Sequence, residues 1–174
     1  MVLEEFLTRR SRELGFDECR ITTADAPASG KNLQSWLANG SHGEMGWIER
    51  NAEKRLDPRK VLPGAKSVIA LAVSYFAPEA EARGESPGQI ARYARHTDYH
   101  DVIAEKLKRL TEEFDEMAGV DRRSLWYIDT GPILERDLAA RSGLGFVGKH
   151  TNLISRRLGN WFFISEILTT VQLD

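Results

Sequence analysis

The longest apolar run in the 174-residue chain is Ser67–Phe76, SVIALAVSYF. It is far shorter than the ~20 residues that a membrane-spanning helix requires. It is rich in β-branched side chains and is bounded by Pro63-Gly64 on one side and Pro78 on the other. A run of this length and composition is a strand covered on both faces. The second strong pattern is Asp98–Met117, where Ile103, Leu107, Leu110, Phe114 and Met117 recur at helical spacing with charges between them. Asp98 is a natural N-cap for that helix, and Gly119 ends it.

Weaker patterns fill in the rest. Residues 2–14 read as a helix stopped by Gly15, and Phe16–Thr22 as a short strand. Lys31–Asn39 and Gly43–Ala52 read as short helices, Arg55–Gly64 as a turn-rich connection, and Ala77–Gly88 as a polar loop. Ser124–Asp129 is a strand running into Thr130-Gly131-Pro132, where Pro132 opens a helix over Ile133–Ser142. Asn152–Arg156 and Asn160–Thr169 read as strands joined by Arg157-Leu158-Gly159. Helices and strands alternate irregularly. The expected fold is one α+β domain over residues 1–174: a mixed or antiparallel sheet flanked by helices, with a C-terminal β-hairpin. A regular doubly wound sheet is not expected.

Formal net charge is −2, so no global basic field exists to hold nucleic acid. The distribution is less even. Arg141, Lys149, Arg156 and Arg157 fall between Leu138 and Ser165 with no acid among them. This stretch is either a solvated surface or a local anion site. The lone cysteine, Cys19, excludes a disulfide within the chain and any cluster or zinc site built on several thiolates. Its apolar-leaning surroundings make it a buried structural thiol. The N-terminus is charged and amphipathic and lacks the apolar core of a signal peptide, so a cytoplasmic protein without membrane contact is expected.

Gly143-Leu-Gly145-Phe-Val-Gly148 matches G-x-G-x-x-G, and Glu166 follows about twenty residues later. A dinucleotide fingerprint, however, follows a strand and opens a helix whose N–H groups hold the pyrophosphate. Here a helix precedes the glycines and a strand-like run follows. A helix-ending turn that permits close backbone approach explains them better.

Several segments carry a family likeness. They are Arg92-Tyr-Ala-Arg95-His-Thr-Asp98-Tyr99-His100, Tyr127-Ile-Asp129-Thr-Gly-Pro132-Ile-Leu-Glu135-Arg136, and Gly143-Leu-Gly145-Phe-Val-Gly148-Lys149-His-Thr-Asn152-Leu153. Arg55-Leu-Asp57-Pro58 and Leu62-Pro63-Gly64 upstream, and Gly159-Asn-Trp-Phe-Phe-Ile-Ser-Glu166 downstream, also fit. Together they resemble the epoxyqueuosine reductase family over most of the chain. The resemblance implies an oxidoreductase that converts epoxyqueuosine in tRNA to queuosine, using cobalamin without its lower axial base. It also implies electrons from an external donor through two 4Fe–4S clusters, held in a ferredoxin-like region that would follow the segment ending here. The chain is then expected to be the cobalamin-binding part and inactive alone. The alternative is a non-catalytic corrinoid- or nucleotide-binding module that needs a partner iron–sulfur protein.

The resemblance places the family's proton donor at Asp129. A carboxylic acid serves that role only if it stays protonated, which partial burial favours. Read from the residues alone, Asp129 is better explained as an N-cap for the helix after Pro132. Glu135 and Arg136 either orient the Asp129 turn or substrate phosphate, or form structural ion pairs. Cobalamin contacts are expected, largely through backbone, in the segments holding Arg55, Arg92, Asp129, Lys149, Thr151, Leu153 and Ile164. For Leu153 and Ile164 core packing is the plain alternative, and for Arg55 and Arg92 a surface ion pair. No protein metal site is expected: His100 has no clustered partner. Trp47, Trp126 and Trp161 are core or pocket-wall aromatics.

Overall fold

The computed structural model describes residues 2–77, 88, 90–119 and 121–173. In chain order the elements are α1 (Leu3–Glu13), β1 (Glu18–Thr23), α2 (Gly30–Ala38), α3 (Gly46–Arg50), α4 (Ala52–Leu56) and β2 (Ser67–Ser74). Then come α5 (Tyr99–Ala118), β3 (Ser124–Tyr127), α6 (Glu135–Arg141), β4 (Phe146–Val147), β5 (Leu153–Ile154) and β6 (Phe162–Thr169). The main sheet runs β1-β2-β6-β3, with every neighbouring pair antiparallel. The α+β expectation holds.

The apolar run that constrains the sequence most becomes β2, one of the two inner strands, and Ser67–Ala72 are all buried. Because side chains alternate across a sheet, Ile69 and Leu71 join Ile167 of β6 on one face. There they pack with Phe6 and Leu7 of α1 and with Ile103, Leu107, Leu110 and Phe114 of α5. Val68 and Leu168 point the other way, toward Leu138 of α6. On that same face Ala70 and Ala72 lie against Ala139. These small side chains let α6 settle close to the sheet, and that closeness sets the position of everything α6 carries.

Helix α5 starts where its capping residue predicts. Asp98 Oδ1 accepts the His100 N–H at 2.9 Å. Replacing Asp98 by Ala is expected to cost about 1 kcal/mol of stability, read as a lower urea midpoint at unchanged m value. A midpoint equal to wild type would show the cap to be redundant.

Several boundaries differ from the sequence reading. Strand β1 begins at Glu18, two residues late, because Phe16 is taken into the core and Asp17 caps the approach by accepting from the Ser74 N–H. The helix expected over Gly43–Ala52 breaks at Asn51 into α3 and α4, and α4 reaches into the stretch read as turns. Asp57 then accepts from the Arg59 N–H and opens a 3-10 turn at Pro58. Pro132 does not open α6; the helix begins three residues later at Glu135, behind Leu134. The C-terminal hairpin is present, but β5 pairs with β4 rather than with β6, which enters the main sheet. The expected turn survives as the bridge between Ser155 and Gly159. The polar loop placed at Ala77–Gly88 falls almost wholly outside the described residues. Among the described residues, no helix is long and apolar enough to cross a membrane.

Candidate active site

The end of β3 leads into a constrained turn. Ile128 is buried, and the next residue, Asp129, is turned outward with a φ of 55°. The Thr130 N–H donates to the Ile128 carbonyl, closing a three-residue turn around Asp129. Such a conformation is costly for most side chains, though Asp and Asn tolerate it best. Gly131 follows because nothing larger fits: a Cβ there would lie 2.7 Å from the ring of Tyr127.

A second element fixes the carboxyl. Tyr99, the first residue of α5, donates its hydroxyl to Asp129 Oδ2 at 2.9 Å. Its ring is stacked on Phe163 of β6, with centroids 3.9 Å apart and planes 9° from parallel. His100 stacks on the same Tyr99 ring at 4.0 Å. Burial, and then the hydrogen bond to Asp129, push the Tyr99 phenol well above its usual range, so it remains a donor. His100 thus bonds the capping Asp98 and packs on the tyrosine. Among the described residues no cluster of His, Cys, Asp and Glu could hold a metal ion.

Asp129 opens on a cleft of about 460 Å³ lined by Trp47, Arg55, Glu135, Val147 and Thr151. Arg55 bridges its wall, donating through Nη1 to the carbonyls of Gly131 and Ile133, both at 3.3 Å, while its guanidinium lies 5.5 Å from the Trp47 ring centre. It therefore buttresses the Asp129 loop instead of forming a surface ion pair. The Arg55 Nε is buried without a partner among the described residues. Arg136 does the same for the opposite wall, donating to the Thr151 carbonyl at 2.7 Å. Thr151 has a φ of 69°, a true outlier for a β-branched residue.

Glu135, the first residue of α6, is where the burial expected at Asp129 is found. Asp129 itself is exposed, and it does not cap α6. Burial first, then the charge of Asp129, push the Glu135 carboxyl up to about 7, against the opposing pull of Arg55 and Arg136. Beneath it, Glu166 on β6 is completely buried. Burial, then Glu135 and Asp129, raise its pKa well above the usual carboxylate value.

The structure thus gathers Arg55, Asp129 and Thr151 at one cleft. Arg92 lies elsewhere, over the Trp161 ring at 3.8 Å and donating to the Ala77 carbonyl. Lys149 is exposed near the tip of the β4–β5 hairpin. Leu153 is buried, and Ile164 half-buried, in the apolar cluster under α6. The glycines of the rejected fingerprint have structural work. Gly143 ends α6 with a φ of 81°, and a Cβ on Gly145 would meet the Ile154 carbonyl oxygen at 2.4 Å. Two of the four cations in the basic stretch are tied into the fold. Arg141 donates to the carbonyls of Thr23, Asp25 and Ala26, and Arg157 pairs with Glu18.

The sequence reading missed Tyr99 as the partner of Asp129 and the burial of Glu135 and Glu166. Glu166 left one signal: in FFISEILT it sits at the inward parity of Ile164 and Leu168, where a covered strand carries apolar side chains.

This arrangement of sheet, helices and cleft defines a fold shared with reductive enzymes of known structure. An epoxyqueuosine reductase solved with an epoxyqueuosine-modified tRNA-Tyr stem loop matches with a TM-score of 0.85 and 30% identity, over 99% of this chain and 46% of that one. The Bacillus subtilis epoxyqueuosine reductase, solved with an aspartate catalytic loop swung out of its active site, matches at 0.84 and 30%, over 99% and 46%. A reductive dehalogenase, for which B12-dependent dehalogenation is described, shares the fold alone, at 0.59 and 19% identity over 98% of this chain and 20% of that one.

In sequence, the family model described as "Epoxyqueuosine reductase QueG, DUF1730" matches residues 55–130. The epoxyqueuosine reductase of Leadbetterella byssophila is 41% identical over 163 residues, 93% of this chain and 53% of that protein. The chain is thus similar in sequence and fold to epoxyqueuosine reductases, and it spans about half the length of the curated relatives it matches.

Proposed function

We propose that this chain is the cobalamin-binding, proton-delivering part of an epoxyqueuosine reductase acting on tRNA in the cytoplasm. The observation that carries the reading is Asp129: a carboxyl held out over a cleft by a strained turn and by a tyrosine fixed in an aromatic stack. Epoxide removal takes two electrons and two protons, breaks both carbon–oxygen bonds, and yields an alkene and water. The oxygen must be protonated as it leaves, and a carboxylic acid within reach supplies that proton. The relative whose aspartate loop is named as catalytic supports assigning this role to Asp129, and the relative solved with a modified stem loop supports tRNA as the substrate.

The residues around the cleft fit a corrinoid. A corrin is a flat, largely apolar disc fringed with amides, and it needs apolar walls and backbone polar groups at its rim. Trp47 and Val147, which line the cleft, are each half-exposed, and so offer apolar surface there. Arg55, Thr151 and the backbone of the β4–β5 hairpin offer the polar rim, and Lys149 lies within the same hairpin loop. Arg92, Leu153 and Ile164 would act from outside this cleft, the last two by supporting the hairpin from below. When bound, a reduced cobalamin supplies the electrons that cleave the carbon–oxygen bond. With one cysteine the chain has no thiolate set for an iron–sulfur cluster, so the 4Fe–4S donor is proposed to lie outside these residues.

The test is spectroscopic. Titration of the chain with cob(II)alamin is expected to give saturable binding and the absorbance spectrum of the base-off form. No spectral change at saturating cofactor would remove the corrinoid reading.

A further inference from the structure

Delivery of a proton by Asp129 leaves a second group unexplained. Glu166 lies midway along β6, flanked in the ladder by Ala70 of β2 and Tyr127 of β3. It faces α6, on the side of the sheet that holds Leu168 and Leu138. It is fully buried, and among the described residues neither carboxyl oxygen has a hydrogen-bond partner. The charged groups that act on it are Glu135, from the first turn of α6, and Asp129, from the turn after β3. Both are acids. The cations Arg55 and Arg136 act on Glu135 instead.

A carboxylate in that position would have neither donors nor a counter-ion, which folded proteins avoid by keeping the group neutral. A neutral acid in turn needs an acceptor for its O–H. One oxygen of Glu135 is likewise buried and without a partner among the described residues. Two orphaned carboxyls, one on the sheet and one on the helix laid against it, satisfy each other when a single proton lies between them.

We propose that Glu166 and Glu135 hold an exchangeable proton in reserve and pass it to Asp129 once Asp129 has delivered its own. This rests on the proposed reaction, which needs two protons while Asp129 carries one. Asp129 protonates the epoxide oxygen and becomes a carboxylate. The proton shared by the pair then passes through Glu135, which lines the same cleft, to Asp129. Asp129 then donates the second proton as the oxygen departs as water. The two electrons would be supplied by the reduced cobalamin and its iron–sulfur donor when these are bound, and solvent reloads the pair through the open cleft. Glu166 touches no substrate in this scheme; it is a positioning residue acting through Glu135.

The first readout does not depend on activity. Infrared spectra of the chain at neutral pH, in water and in deuterium oxide, are expected to show the C=O stretch of a protonated carboxylic acid. The band should be weakened in Glu166→Gln and retained but shifted in Glu135→Gln. A wild-type spectrum without the band, or a band untouched by both substitutions, overturns the inference. The second readout uses the enzyme assembled with cobalamin and its iron–sulfur donor. Glu166→Gln should lower kcat about tenfold or more, enlarge the solvent deuterium isotope effect on kcat, and leave KM for tRNA unchanged. An unchanged kcat and isotope effect count against the relay. If wild type itself takes up no cobalamin and reduces no epoxide, the proposed function fails instead, whatever the infrared band shows.

Discussion

Asp129→Asn is expected to lower epoxide reduction by about 10²–10⁴-fold while leaving the fold intact, the range lost when a positioned general acid is removed. Asn is the residue best suited to replace Asp at a φ of 55°. Its side-chain oxygen can still accept the Tyr99 hydroxyl that now reaches Asp129 Oδ2. The turn, the aromatic stack and the cleft should therefore persist, and the one thing removed is an acidic proton. Cobalamin binding and the denaturation midpoint should match wild type. Turnover of epoxyqueuosine tRNA, in the enzyme assembled with its cofactor and electron donor, should not. Asp129→Ala is a poorer test, because alanine pays for the left-handed backbone and the two effects mix. Retained turnover in Asp129→Asn would take this residue out of the mechanism.

How much of this was legible in the sequence follows from which forces are local. The strand at Ser67–Ser74 and the helix at Tyr99–Ala118 were read nearly to the residue, since apolar periodicity and the Asp98 cap are written in consecutive positions. The start of α6 was not. Pro132 is a good first-turn residue in the abstract, but here the chain must first complete the Asp129 turn and lay Gly131 over the Tyr127 ring. The pairing of β5 with β4 was missed for a similar reason. The close approach of Gly145 to the Ile154 carbonyl was legible as a need for glycine, but its partner was not. In the site, Asp129 was found through its motif, whereas the hydrogen bond from Tyr99 spans thirty positions and leaves no local pattern. Arg55 was singled out, but its work as a brace for the Asp129 loop depends on tertiary placement alone. Glu166 was legible only as an acid out of place in a covered strand, and what makes it matter is α6 arriving above it with a second acid.

That pairing of buried acids makes the stability of the chain fall as pH rises, which is the reverse of the usual carboxylate behaviour. In the unfolded chain a glutamate releases its proton near 4.3. In the folded chain burial holds the Glu135 proton up to about 7. Between those values the native state binds more protons than the unfolded state, so each step up in pH favours unfolding. For Glu135 alone the loss across the window is about 4 kcal/mol at 1.36 kcal/mol per pH unit, and Glu166 acts in the same direction. Glu113 works oppositely. Its guanidinium partner Arg10 holds it at about 2, so its contribution is present above the unfolded value and is lost as pH falls toward 2. It lies at the surface, where solvent screening keeps that contribution small. The urea midpoint is therefore expected to peak near pH 4–5 and to decline toward neutrality. Glu135→Gln should flatten most of the decline, and a further Glu166→Gln the remainder, with m unchanged throughout. A midpoint that stays level between pH 5 and 7, or a slope that survives both substitutions, would mean that these carboxyls ionise freely. The interior would then have to open to water in solution, and the reserve of protons beneath Asp129 would be lost with it.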